Sequence, residues 1–180
     1  MQICRTTYHI NTYILHDDGT YPNNPGLPVI HYKALLKIPR WFAARKIRQH
    51  FEENGWINSW KGDIYDFHHY HSTTHEVLTV YSGSAFLLLG GEGGRRIQVE
   101  AGDVLVIPAG VAHMKMYKDE ELKVVGAYPE GREFDLMVGQ SGERPYADNR
   151  IQAVPVPKKD PVFGVDGELM FQWKGYRKTA

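Results

Sequence analysis

The chain has 180 residues, with 21 Lys and Arg against 21 Asp and Glu, so its formal charge is zero when the nine histidines are counted as neutral. That length suits one domain, large enough to bury about 68–70% of its unfolded surface, and leaves no room for a second catalytic domain. With 42% hydrophobic, 12% aromatic and 23% charged residues the composition excludes a disordered, collagen-like or coiled-coil chain, and the balanced charge argues against a nucleic-acid partner, which requires a basic excess to hold phosphates.

The single cysteine, Cys4, forms no internal disulfide and reads as a near-terminal thiol without function. Arg5, His9 and Asn11 interrupt any apolar leader, and the longest uncharged apolar run, Val104 to Ala112, contains Pro108 and Gly110. It is far short of the roughly 18 residues of a membrane span. The expectation is a cytoplasmic protein with no membrane partner.

Thr6 to Leu15, rich in Thr, Tyr and Ile, predicts a first strand that stops at Asp17-Asp18-Gly19. Tyr21-Pro22-Asn23-Asn24-Pro25-Gly26 is turn chemistry, and a second strand is predicted over Leu27 to Tyr32. Ala44, Ile47 and Phe51 recur at helical spacing between Arg40 and Asn54, with Gly55 as the stop and the Arg and Lys residues as a solvated face. From Tyr65 the texture changes to short β-rich runs. Strands are predicted over Glu76 to Tyr81, Ser84 to Leu89, Arg95 to Glu100, Asp103 to Ile107, Val111 to Tyr117 and Leu122 to Tyr128, separated by glycine and proline turns. Such spacing signals an antiparallel sandwich or barrel. The Gly- and Pro-rich tail from Pro129 adds two predicted strands, near Ile151 to Val156 and Leu169 to Trp173.

Four of the nine histidines, His68, His69, His71 and His75, fall within eight residues. Imidazole is the commonest neutral metal ligand, and clustering of this kind is what a metal site produces. On a strand, residues two apart share a face about 6.6–6.8 Å from each other, so His69 and His71 can reach one ion while His68 and Tyr70 point away. Glu76 offers a carboxylate across the turn that follows, and His113 opens a later strand. The spacing of His71 and His75 would also suit a helical zinc pair, but Ser72, Thr73 and Thr74 are poor helix formers.

These positions resemble the two signature motifs of the cupin superfamily. His69, His71, Glu76 and Gly83 meet the first, and Gly102, Pro108, Gly110 and His113 the second. Further stretches, among them Pro22-Asn23-Asn24-Pro25, Asn54-Gly55-Trp56, Gly126-Ala127-Tyr128-Pro129 and Asp160-Pro161-Val162-Phe163-Gly164, resemble a group of uncharacterised bacterial single-domain cupins. The resemblance implies an all-β double-stranded β-helix, a jelly-roll-like barrel with one short N-terminal helix. Its core would span about residues 62–128, flanked by N-terminal strands and helix over 5–55 and a C-terminal extension over 129–180. It also implies one divalent transition metal (Fe, Mn, Ni or Zn) on His69, His71, Glu76 and His113. Four ligands on a six-coordinate ion leave two positions for a bidentate substrate, or for substrate and dioxygen.

The expected activity is therefore a metal-dependent, oxygenase-type enzyme acting on a small polar or anionic metabolite. The alternatives are a sugar or sugar-phosphate isomerase and a non-catalytic small-molecule binder. Alternation from His113 places Lys115 and Tyr117 on the ligand-bearing face, where Lys115 could hold an anion. The superfamily often has Asn where this chain has Tyr117. His68 and His75 are left as spare histidines, and a homodimer through an N-terminal strand is expected.

Overall fold

The computed structural model describes residues 2–3, 8–118 and 121–174, so Cys4, Thr6 and Thr7 lie outside the described residues. In chain order the elements are β1 (Gln2–Ile3), β2 (His9–Leu15), β3 (Asn24–Lys33), β4 (Leu36–Lys37), α1 (Ala43–Glu53), β5 (Trp56–Gly62), β6 (Glu76–Ser82), β7 (Ser84–Leu89), β8 (Arg95–Glu100), β9 (Val104–Ile107), β10 (His113–Lys118), β11 (Lys123–Pro129), α2 (Tyr146–Ala153) and α3 (Glu168–Gln172). Strands dominate and pair antiparallel. The larger sheet runs in the order β2-β3-β9-β6-β11-β5, the smaller β10-β7-β8, and β1 pairs with β4.

The period-2 geometry of strands divides the apolar residues between two cores. Leu78 and Val80 of β6, Leu105 and Ile107 of β9, and Val124 of β11 turn inward. There they meet Ala85, Leu87 and Leu89 of β7 and Ile97 and Val99 of β8, filling the space between the two sheets. The alternate residues Val77, Val104, Val106, Val125 and Ala127 face outward and are covered by Ile47 and Phe51 of α1 and by Leu169 and Trp173. The central strands β6 and β9 are thus buried on both faces and read as nearly continuous apolar runs. The strand β8, with only Ile97 and Val99 buried, keeps a polar outer face. Helix α1 forms because Ile47 and Phe51 stack on one stripe, each contributing about 1.5–3 kcal/mol by full burial, and it stops where Gly55 takes φ +79°.

The structure departs from the sequence expectation in three places. The tail residues near Ile151 to Val156 and Leu169 to Trp173 are helices α2 and α3 or their ends, not strands. Ala147, Asp148 and Arg150 suit a helix that Pro155 then prevents from continuing, and Leu169 and Trp173, four apart, bury the same side of a helical turn. The barrel therefore carries three helices among the described residues rather than one. Strand β5 was not foreseen: it is an edge strand whose residues are mostly exposed, with Trp56 alone buried, so no periodic apolar signal marks it. Finally, a register shift between Lys115 and Tyr117 breaks the alternation of β10. No helix of the described residues is long and apolar enough to cross a membrane.

Candidate metal centre

Three chain segments converge at one end of the space between the sheets. His69 lies in an extended stretch that bridges the first residue of β10, with the His69 N–H donating to the His113 carbonyl (3.2 Å) and the His113 N–H to that of His69 (2.9 Å). On its other side the same stretch pairs Tyr70 with Met137. The His71 carbonyl accepts the Gly110 N–H at 2.8 Å, and Gly110, at φ +90°, supplies the reversal that delivers His113. Glu76 opens β6 on the inward face shared with Leu78 and Val80.

These placements bring His69, His71 and His113 together, one ligand atom of each within 4.8 Å of the others. The Glu76 Oε2 stands 3.5 Å from Nε2 of both His71 and His113. All four residues are buried, at 1–6% exposure. The donor set passes a direct test of fit to a metal ion. Each ring turns Nδ1 toward a backbone carbonyl: His69 to Phe67 (3.3 Å), His71 to Asp135 (2.5 Å) and His113 to Val111 (3.0 Å). A proton held on Nδ1 leaves the Nε2 lone pair free, the arrangement second partners impose on metal-binding histidines. Two donors about 2.1 Å from one ion stand about 3.0 Å apart at an octahedral right angle and about 3.4 Å apart at a tetrahedral one, and the 3.5 Å spacing of Glu76 from its two neighbours lies near both. The three-histidine cluster can therefore hold a divalent metal.

The electrostatics of the metal-free site match its crowding. Burial, reinforced by the charges of His113 and His71, lowers the His69 imidazole to about 3. For His71, burial acts downward, but the hydrogen bond and charge of Glu76, aided by Asp135, outweigh it and lift the value above the usual imidazole range. Burial acts upward on Glu76, and the hydrogen bonds and charges of His113 and His71 prevail and hold its carboxyl well below the usual carboxylate range. Without metal, a proton on the imidazole side of the cluster offsets the buried carboxylate; a divalent ion would take over that role.

A second ring of residues fixes these groups, and the sequence did not reveal it. Asp135 accepts from the Ser72 N–H (2.7 Å), the Ser72 hydroxyl and the Thr73 N–H (3.3 Å), while its own carbonyl takes the His71 Nδ1 proton. It thereby clamps the ligand loop from 63 residues away. The Tyr128 hydroxyl accepts from the Trp60 indole N–H at 3.0 Å and lies beside the Glu76 carboxylate; burial, together with that carboxylate, holds the phenol well above its usual range. The Trp60 ring lies over Gly126, where a Cβ would meet it at 2.3 Å, which accounts for glycine two residues before that tyrosine. The only signal for this group was the Gly126-Ala127-Tyr128-Pro129 stretch; nothing local distinguishes Asp135 in a polar tail. Tyr65, Phe67 and Phe134, all at least 41% exposed, form an aromatic rim in ring contact with His69 or His71.

The remaining site candidates lie outside the cluster's immediate contacts. Lys115 is bound to Asp63 at 2.7 Å, which Lys118 also contacts at 2.6 Å, and Tyr117, past the register shift, is 67% exposed. His75 accepts the Ala109 N–H on Nδ1 at 2.9 Å and packs its ring 4.8 Å from that of Trp173; burial lowers it to about 3, keeping that nitrogen free to accept. His68 packs against Tyr21, and burial lowers it as well.

The sequence pattern of the Cupin domain (Cupin_2) matches residues 56–125. The chain is 40% identical over 162 residues to the uncharacterised protein YjlB of Bacillus subtilis (strain 168), a match covering 90% of this chain and 95% of that one. Among solved structures it is similar to an acireductone dioxygenase from Bacillus anthracis with a cadmium ion in its active centre, at 18% identity and a TM-score of 0.37. That match covers 51% of this chain and 61% of the dioxygenase, less than two thirds of the latter. It is also similar to an oxalate decarboxylase of Bacillus subtilis, at 19% identity and a TM-score of 0.39, over 63% of this chain and 28% of that one.

Proposed function

Since this chain belongs to the cupin superfamily, we propose that it is a metal-dependent enzyme of the oxygenase type acting on a small polar or anionic metabolite. In this reading His69, His71, His113 and Glu76 hold one divalent ion, Fe, Mn, Ni or Zn. The observation that carries it is the orientation of three buried imidazoles whose Nδ1 atoms all face carbonyls, beside a carboxylate 3.5 Å from two of them. Four protein donors close a tetrahedral ion but leave two positions open for a substrate on a six-coordinate one. With iron, mixed imidazole and carboxylate ligation of this kind supports chemistry with dioxygen.

The residues of the chain divide the remaining work. Tyr128 steers Glu76, and Asp135 holds His71. The rim of Tyr65, Phe67 and Phe134 supplies apolar and aromatic surface to exclude water around the bound metabolite. Because Lys115 is engaged by Asp63, the polar end of the substrate is expected at the ligand cluster and its flatter, apolar part against the rim. The Tyr128–Glu76 contact favours a second reading, an isomerase, since a hydroxyl beside a carboxylate can move a proton between substrate carbons.

The test is oxygen consumption by the iron-loaded protein across a panel of small hydroxy acids, keto acids and phenols. Uptake with at least one compound, lost in His113→Ala, supports the oxygenase reading. No uptake by a protein shown to hold its iron removes it, and sugar isomerisation by the manganese- or zinc-loaded protein would establish the second.

A further inference from the structure

The zero net charge conceals a segregated positive segment. Residues 19–51 contain no Asp or Glu but six cations, Lys33, Lys37, Arg40, Arg45, Lys46 and Arg48. Among the described residues none of the six is in an ion pair, whereas Lys115, Lys118, Arg144 and Arg150 each have a carboxylate partner. Three of the six, Lys37, Arg40 and Lys46, line one hollow of about 800 Å³ together with Ile38, Pro39, Gln49, His50 and a single carboxylate, Glu53.

Beside this hollow the chain presents two large apolar side chains to solvent. Trp41 is 68% and Phe42 74% exposed, while Trp56 and Trp173 are buried to 1% or less. Phe42 has φ +59°, a left-handed conformation that is unfavourable for a bulky residue and is expected only where something compensates it. Its effect is to place the ring at a turn ahead of α1 rather than on the buried stripe of Ile47 and Phe51. The Arg40 guanidinium lies 5.6 Å over the Trp41 ring, so an apolar tip and its cations form one patch.

We propose that this patch docks the protein on an anionic phospholipid surface, with Trp41 and Phe42 entering the boundary between headgroups and acyl chains and Lys37, Arg40 and Lys46 meeting lipid phosphates at the hollow. An exposed aromatic pair ringed by unpaired cations matches both properties of such a surface: an apolar layer within reach of a side chain, and negative charge above it. The attachment proposed is peripheral, and no helix among the described residues is long and apolar enough to cross. A nucleic-acid strand fits less well, because it needs cations and stacking rings spaced along a groove, and here both rings sit at one tip.

Co-sedimentation with vesicles tests the proposal, using phosphatidylcholine alone and phosphatidylcholine with phosphatidylglycerol. The full chain is expected to bind the anionic vesicles at least about tenfold more tightly, with a salt-sensitive affinity and a blue shift of tryptophan emission. Trp41→Ser combined with Phe42→Ser should lower binding by about tenfold or more and abolish the shift. Arg40→Gln combined with Lys46→Gln, which alters only exposed side-chain ends and retains the fold if the serine pair does not, should lower it about fivefold per cation. Equal or absent binding to the two vesicle types, or binding that neither variant changes, overturns the proposal. So does binding of single-stranded oligonucleotide in place of vesicles, or a dimer in sedimentation velocity that the serine pair dissociates, which would assign the patch to a second copy of the chain.

Discussion

Two aspartates of the C-terminal tail do the same physical work in different places. Asp160 is fully buried and accepts the N–H groups of Val162 (2.8 Å), Phe163 (3.0 Å) and Leu169 (3.3 Å) and the hydroxyl of Tyr32. Asp135 is partly exposed and accepts the comparable set from Ser72 and Thr73. The first fastens the tail to the outer face of the large sheet; the second fastens the ligand loop to the tail. A carboxylate that satisfies several backbone donors is a staple, and what it staples decides whether its loss shows up as instability or as weakened metal binding.

Removing each staple separates those outcomes. Asp160→Ala strands two buried N–H groups, a part-buried one and a tyrosine hydroxyl, so it should cost about 3 kcal/mol or more in denaturant unfolding, with metal stoichiometry retained at low temperature. Asp135→Ala should act the other way. It frees the loop that carries His71 and is expected to weaken metal affinity about 10–100-fold by competition with a chelating dye, with a smaller loss of stability. If Asp135→Ala lowers stability as much as Asp160→Ala and leaves metal affinity intact, the contrast between the two is wrong. A smaller effect is expected of Tyr128→Phe, which removes the hydroxyl from Glu76 and should reduce metal affinity about fivefold, corresponding to about 1 kcal/mol.

The pH dependence of metal binding refines the comparison further. A metal must displace the proton that Glu76 helps to hold on His71, whose value lies above the usual imidazole range. Affinity should therefore be flat at alkaline pH and, on acidification, begin to fall before the pH has come down to about 6.5, by about tenfold for each further unit. In Glu76→Gln the charge that lifts His71 is gone, so the onset of the fall should move to lower pH. An unchanged onset would show that the carboxylate does not act on that imidazole.

The sequence exposed the ligands and concealed their supports for one reason. His69, His71, Glu76 and Gly83 are close in the chain, and so are Gly102, Pro108, Gly110 and His113, because a strand and a turn set the distances within each group. Strand positions from Glu76 to Tyr128 were legible for the same reason, since alternation and glycine turns are local signals. Asp135 and Tyr128 act on residues more than fifty positions away, and no local pattern records that. The β-prone Ile151, Val154 and Val156 predict strands in the tail, whereas the helices there follow from Pro155 and from tertiary contacts of Leu169 and Trp173 with the outer core. Lys115 was placed by strict alternation, and only the structure shows that Asp63 occupies it and that the register shifts before Tyr117.

Elemental analysis of the purified chain beside His71→Ala decides whether His69, His71, His113 and Glu76 hold a divalent metal. The expected result is about one divalent transition-metal ion per chain, falling to a small fraction of one in the variant while far-ultraviolet circular dichroism shows the fold retained. A wild-type chain that stays nearly metal-free after loading, or a metal content that His71→Ala leaves unchanged, would contradict it.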